Sequence, residues 1–451
     1  MNIRKVRLTF AVIILITLMS AEVIWQYRPT AWSPERQITT SPGDSRIVDV
    51  LADSQNGLHL VWEDNREGIY QVYYKHSLDN GVTWGPEVKL SNLSPGTIEP
   101  LPRLASIGPQ VLVFFSGRTE TGEHLFDAVG VDSGSGFSTP RQLTSDAGYQ
   151  TNPAAAVAGD TFHLVWQSYV QGVEHIYYMK SPDGGATWLR EIVLTDATGQ
   201  DRHPAIVAVG ENVLVVWSRF DHGPEAVFFR ASHDAGASWQ PEVQLSGYEA
   251  PVFSVFPSIA SNGTHLNVAW NGGQLFYSRS ANAGLAWEAP LPLTNQSRQY
   301  LAPKISASGP HLQVVTAAIS PGIGRHPNIS SDIYYLESPD GGKDWSEPIL
   351  LTAHSPNQLS LAPAIAVRGD ATFVAWQDNR NGLFAIFLMS KPDFAKLQAF
   401  ERQLFISLFV LLTVATAVYL LFEFKRVSIV RRRAKRLGRR RKLARGKAKG
   451  R

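Results

Sequence analysis

The sequence predicts an all-β fold, a β-propeller of seven four-stranded antiparallel blades (six is the fallback count), with a transmembrane helix near each end. Three observations predict it. A short hairpin motif recurs through the middle of the chain, alternating apolar strands recur at about the same period, and a long apolar segment lies near each terminus.

The composition is that of a folding chain: of 451 residues, 44% are hydrophobic and 18% charged. With no cysteine, disulfides, thiolate metal sites and a cysteine nucleophile are excluded, and packing and closure must hold the fold. The net charge of +3 hides a division. Residues 425–451 contain 15 Lys or Arg and no acid, which leaves 27 basic against 39 acidic residues elsewhere, a balance near −12. The basic character belongs to a tail.

Leu404 to Phe422 runs 19 residues without a charge, enough for a helix to span the hydrocarbon core, so residues 403–424 read as a transmembrane helix. The basic tail at 425–451 follows at once and marks the cytoplasmic side. At the other end Arg4, Lys5 and Arg7 precede an apolar run from Leu8 to about Ile24, broken by Glu22. Residues 1–25 therefore read as a signal peptide or an uncleaved signal anchor. Either choice exports the middle of the chain and places the protein at a cell membrane, with its propeller on the extracytoplasmic side.

The repeat begins with Ser77-x-Asp79-x-Gly81-x-Thr83-Trp84. It returns as Ser181-x-Asp183-x-Gly185-x-Thr187-Trp188, Ser232-x-Asp234-x-Gly236-x-Ser238-Trp239 and Ser338-x-Asp340-x-Gly342-x-Asp344-Trp345. A looser copy is Ser280-x-Asn282-x-Gly284-x-Ala286-Trp287. The carboxylate can accept nearby backbone N–H groups, Gly supplies a positive φ, and Trp covers the hairpin. The pattern is the Asp box, or bacterial neuraminidase repeat, and residues 35–393 resemble the Asp-box propellers of the sialidase superfamily. In that family the boxes are structural.

A second marker counts the blades. Alternating strands end at Trp62, Phe115, Trp166, Trp217, Trp270, Ala317 and Trp376, which gives seven units of about 52 residues. Two lack a box: Val131 to Phe137 replaces one, and Ser390 to Asp393 is the stump of the other. The seventh unit has three strands, whereas Arg36-Gln37-Ile38-Thr39 is an orphan resembling the fourth strand of every blade. The sequence predicts that this strand completes the last blade and closes the ring.

With the strands of each blade labelled a to d from the axis outwards, the boxes are c–d turns. Any ligand face is then made by the b–c turns and the d–a connections. Those segments are rich in arginine, whose planar fork suits a carboxylate. Arg46, Arg202 and Arg298 lie in d–a loops, and Arg66, Arg219 and Arg380 in b–c turns. The bland reading is that Asp64-x-Arg66-x-Gly68 and Asp378-x-Arg380-x-Gly382 merely order two hairpins. The long connection from Ile319 to Ser331 and the aromatic residues Tyr149, Tyr248, Phe253 and Tyr300 suit recognition.

The resemblance to sialidases implies three arginines on a sialic acid carboxylate, an Asp acid/base and a Tyr nucleophile assisted by Glu. Arg46, in Ser45-Arg46-Ile47-Val48, matches the family's first arginine motif without its proline. Arg219 and Arg298 would complete the triad. Asp64 would be the acid, and Tyr300 or Tyr248 with Glu249 the nucleophile pair.

No cofactor is expected, and the scattered histidines lack metal-ligand spacing. The tail, with Arg431-Arg432-Arg433, suits stop-transfer and anionic lipids rather than nucleic acid. The favoured function is a membrane-anchored propeller binding a glycan or an extracytoplasmic protein on its Arg-rich face. The alternative is a sialidase-like glycoside hydrolase acting on acidic sugars.

Overall fold

The computed structural model describes residues 32–392, apart from 98, 146–147, 196–198, 222–223, 248–254, 264, 296, 321–329 and 353–357, and beyond them 407, 414, 418, 421–422 and 424–438. Trp32–Lys391 form one compact unit. Described separately, residues 424–438 are helical and largely exposed. Among the described residues no helix is long and apolar enough to cross a membrane. The predicted segment 1–25 and most of 403–424 lie outside the described residues, as do 439–451.

The compact unit is a ring of seven four-stranded antiparallel blades. The a strands are Ser45–Ala52, Arg103–Ile107, Tyr149–Ala158, Gln200–Val209, Ser258–Ser261, Gln299–Ser308 and Ser360–Arg368. Each packs against the a strands on both sides, and the seventh packs against the first, so the ring is complete. A parallel contact of Tyr149 with Glu123 also joins blades 2 and 3 into one ladder. The b strands are sandwiched between neighbouring blades, so Leu58–Asp64 is buried along its whole length rather than at alternate residues.

Closure occurs where the sequence predicts it. Arg36 pairs opposite Leu388 and Gln37 opposite Phe387 in the c strand of blade 7, Leu383–Lys391. The Ile38 N–H donates to Ile386 O at 2.7 Å. A signature shared by all seven blades supports the assignment. The d strand ends in Leu or Ile followed by Ser or Thr, whose hydroxyl accepts a c-strand N–H. Val72 donates to Ser91, Leu125 to Thr144, Ile176 to Thr195, Val227 to Ser246, Leu275 to Thr294 and Ile333 to Thr352. In blade 7 Ile386 donates to Thr39, from the opposite end of the unit.

Each hairpin also covers the joint with the preceding blade. Trp239 meets Tyr178 edge-on at 5.0 Å, Trp287 meets Phe229 at 4.9 Å and Trp345 meets Tyr277 at 5.0 Å. Blades 2 and 7 lack the motif yet supply the ring: Phe137 meets Tyr74 at 4.7 Å and Trp32 meets Tyr335 at 4.9 Å. Trp188 turns to Phe114 at 5.7 Å, because the c-strand position facing it in blade 2 is Asp127. Trp84 joins Leu388 in the blade 1–7 core.

One marker moves. Lys304 pairs with Val315 as Asp49 pairs with Val61 and Ala154 with Val165. The counterpart of Trp62 in blade 6 is therefore Thr316, one residue before Ala317. Its hydroxyl is satisfied by Leu301 O at 2.8 Å, so a polar side chain can occupy a place that is tryptophan in five blades.

Candidate functional site

The two faces of the ring are distinguished by hydrogen bonds. The c–d hairpins bond to a–b turns: the Gly184 N–H donates to Asp160 O, Ala235 to Glu211 O and Gly341 to Pro310 O. On the other face d–a loops bond to b–c turns, with Asp44 N–H on Asn65 Oδ1 and Leu359 N–H on Asn379 Oδ1. The hairpin carboxylates are internally occupied. Asp183 accepts from Ser181 Oγ, Thr187 N–H and Thr187 Oγ1, which hold it down at about 2. Asp79 and Asp234 repeat the pattern. These residues shape turns and are not available for a ligand.

On the other face the a strands open onto an axial cavity of about 630 Å³. Its wall follows a repeated backbone device. Ile47, Leu101, Asn152, His203, Ala302 and Ala362 have φ between 41° and 52°, a region costly for non-glycine residues. Pro follows all but Ile47. The register slips at this point in blades 1, 3, 4, 6 and 7, a β-bulge that turns the chain into the cavity. Phe256-Pro257 occupies the same place in blade 5 without the positive φ. These residues form the mouth, where His203 packs on Phe256 with ring centroids 4.1 Å apart. Desolvation, with Arg202 and Lys304 adding, pushes His203 down to about 4, so its imidazole is neutral.

Two residues further along every a strand lies a second level: Asp49, Arg103, Ala154, Ala205, Ser258, Lys304 and Ala364. All seven line the cavity, and each pairs with the residue just before the tryptophan position. Three are charged and four are small. Lys304 is enclosed by the ring, and desolvation pushes its ammonium down to about 8, with Arg103 adding and Asp49 opposing.

Behind the wall stands Glu63, opposite Arg46 in the ladder and 1% exposed. Blade 7 uses Gln377 at this position to accept the Ile47 N–H at 2.8 Å, and blade 3 uses Gln167 to accept the His203 N–H at 3.3 Å. Blade 1 has a carboxyl instead, with neither oxygen in a well-formed hydrogen bond. Burial pushes it up to about 8, with Glu99 adding; the Leu101 N–H, Arg46 and Arg103 pull the other way. Burial also raises Tyr70, whose ring lies 4.8 Å from the Arg46 guanidinium, with Glu63 adding and Arg46 opposing.

The sequence-derived site residues are dispersed. Arg66 grips Asp64 with two N–H groups and Glu87 with a third. Arg380 does the same to Asp378 and Glu35, and Arg219 to Asp201 and Glu242. Each lies over a c-strand ring, Tyr73, Phe387 or Phe228, at 4.1–4.3 Å. This is one structural clasp used three times, and it occupies Arg219 as fully as the other two. Burial works to raise Asp64, but Arg66, Ser45 and Ser41 outweigh it and hold it ionised, unlike a general acid. Arg202 pairs with Glu174, and Arg298 lies over Tyr334. Tyr300 is buried against Tyr334. Arg46 pairs with Asp44 in blade 1, Arg219 with Asp201 and Glu242 in blade 4, and Arg298 lies over Tyr334 in blade 6; none of the three lines the axial cavity. Glu249, Tyr248, Phe253 and the loop 321–329 lie outside the described residues.

Sequence reasoning missed Arg103, Lys304 and Glu63. A signal for the first two was present: X-Pro pairs recur at the start of six a strands at the period of the hairpins.

No family model matches the sequence, nor does any curated protein. Solved structures do resemble it. A polysaccharide lyase, an ulvan lyase, aligns with a TM-score of 0.55 at 13% identity, over 78% of this chain and 95% of its own. A Trypanosoma rangeli sialidase in complex with sialic acid gives 0.46 at 11% identity, over 82% of this chain and 60% of its own. A Dyadobacter fermentans protein of unknown function gives 0.47 at 13%, over 79% and 99%. What is shared is the fold. It is a β-propeller.

Proposed function

We propose that this chain is a membrane-anchored, extracytoplasmic propeller that binds a glycan or a protein ligand over the mouth of its axial cavity. The structural likeness carries only the fold, so the reading rests on the cavity. A concave space on the loop face, edged by the Phe256–His203 pair and with charged side chains at one inner level, has the composition of a ligand pocket. The ring faces of Phe256 and His203 suit an apolar sugar face or an inserted side chain.

The binding test uses the full chain in detergent on an array of acidic and neutral glycans and extracytoplasmic peptides. Phe256→Ala is expected to weaken the strongest signal at least tenfold. A signal indifferent to that change would place the ligand elsewhere.

Anchoring rests on the two apolar segments and the basic flank. Because the chain has no cysteine, its topology can be read with single introduced thiols. Val82→Cys, on an exposed hairpin tip, should react with an impermeant maleimide in intact cells, and Lys447→Cys only after lysis. The reverse pattern would sink the proposed orientation.

A second reading, a sialidase-like hydrolase, is favoured by one observation: Tyr70, Glu63 and Arg46 adjoin one another beside the cavity. Against it, burial raises both Tyr70 and Glu63, which disfavours a phenolate nucleophile and its carboxylate base. A fluorogenic sialoside decides. Turnover abolished by Tyr70→Phe would establish hydrolysis, and its absence at high enzyme concentration would remove it.

A further inference from the structure

The second level of the channel has a composition that folding alone does not call for. Seven equivalent positions, one per blade, face a common axis, and the simplest filling is the small residue found at Ala154, Ala205 and Ala364. Blades 2 and 6 instead contribute Arg103 and Lys304, and the Arg103 charge adds to the cost of charging Lys304 across a restricted space. Among the described residues none hydrogen-bonds or ion-pairs with the Lys304 ammonium. Arg103 donates one N–H to Pro102 O at 2.9 Å, which leaves the rest of its fork free for a ligand.

Asp49, the acid of this level, is tied to the wall, since its Oδ2 accepts the Leu104 N–H at 2.9 Å. Two cations against one acid leave the level with an excess of about one positive charge. A desolvated Lys304 facing a second cation destabilises the empty channel, and a single anion between the two relieves it.

Resting on the reading of the cavity mouth as the ligand site, we propose that the ligand is a sugar acid whose carboxylate enters the channel between Arg103 and Lys304. Arginine offers the carboxylate a planar fork and lysine a point charge, so the group is held from two sides. The small residues Ala154, Ala205, Ser258 and Ala364 leave room for it. The sugar ring then lies at the mouth level, against Phe256 and His203. One negative charge matches the excess, whereas a phosphate dianion would also face Asp49 within the channel and the exposed Glu99 at its rim.

Calorimetry on the full chain in detergent tests this with glucuronate, glucose and inorganic phosphate. Glucuronate is expected to bind at least tenfold more tightly than either of the others. Arg103→Met and Lys304→Met should each weaken it at least tenfold, and Lys304→Arg should keep it within about threefold. Thermal melts check that the variants fold. Lys304→Met should melt higher than wild type without ligand, and glucuronate should raise the midpoints of wild type and Lys304→Arg but not those of the two Met variants.

Glucuronate binding unchanged in both Met variants, or phosphate binding more tightly than glucuronate, overturns the proposal. An array ligand lost in Phe256→Ala but retained in both Met variants overturns the carboxylate and leaves the mouth as the site. An array with no ligand and no glucuronate binding removes both.

Discussion

Glu63 occupies a place where Gln167 and Gln377 hold the neighbouring blade's bulge, and its carboxyl makes that joint sensitive to pH. The ordinary value for the group is 4.5, and in the fold it rises to about 8. Between those values the folded chain keeps a proton that the unfolded chain has lost. Stability therefore falls as pH rises through this window, by up to about 1.4 kcal/mol per pH unit, and levels off above it. Glu63→Gln should remove this contribution, so its advantage over wild type in urea unfolding grows from pH 5 to pH 8. A constant difference across that range would show that Glu63 ionises normally in the fold. The arginine clasps also belong to this scale. Asp64 and Arg66 are adjacent enough in sequence to be read as a turn-ordering pair. Arg219 was not legible in that way, because its partner Asp201 lies on the a strand of the blade and meets it only across the ladder. Arg219→Met strands a fully buried carboxylate and should cost about 3–5 kcal/mol in chemical denaturation. A loss under about 1 kcal/mol would mean that the clasp is dispensable.

The hairpins show what a local motif conveys about an element and what it omits. Gly342 was legible as a turn glycine, and its φ is +87°. Its second reason was not: a Cβ there would meet the Tyr277 hydroxyl of the previous blade at 1.9 Å. Gly341 next to it has a φ of +77° but open space around it. Gly341→Ala should therefore cost about 1–2 kcal/mol from backbone conformation alone. Gly342→Ala should cost about 1–3 kcal/mol more, from overpacking between blades. Equal shifts in the denaturation midpoint would show that the tyrosine tip yields freely. The same contact explains why blades 2 and 7 can lose the motif. The joint needs a ring from some direction, and Phe137 and Trp32 provide one.

At the scale of the molecule, the ring is held shut by a strand only two residues long in the ladder, extended by Ser33, Ile38 and Thr39 on either side. Replacing residues 33–39 with a Gly-Ser linker leaves the c strand of blade 7 as an open edge. The variant should melt lower and associate with rising concentration in sedimentation, while the wild type stays at one size. An unchanged melting point would mean that the other blades hold the ring without this strand.

The sequence by itself determined the all-β class, seven repeats, the hairpin face and the closing strand. Those features depend on alternation, turn chemistry and recurrence, which are written within about fifty residues at a time. Only the tertiary structure decided which polar side chains share a space. Arg103 and Lys304 lie about 200 residues apart and become neighbours because every a strand faces the same axis. Arg66, Arg219 and Arg380, which look equally suited to a ligand in sequence, are taken up by carboxylates of their own blades. An ion pair is decided over a few ångströms, and no spacing along the chain reports that distance.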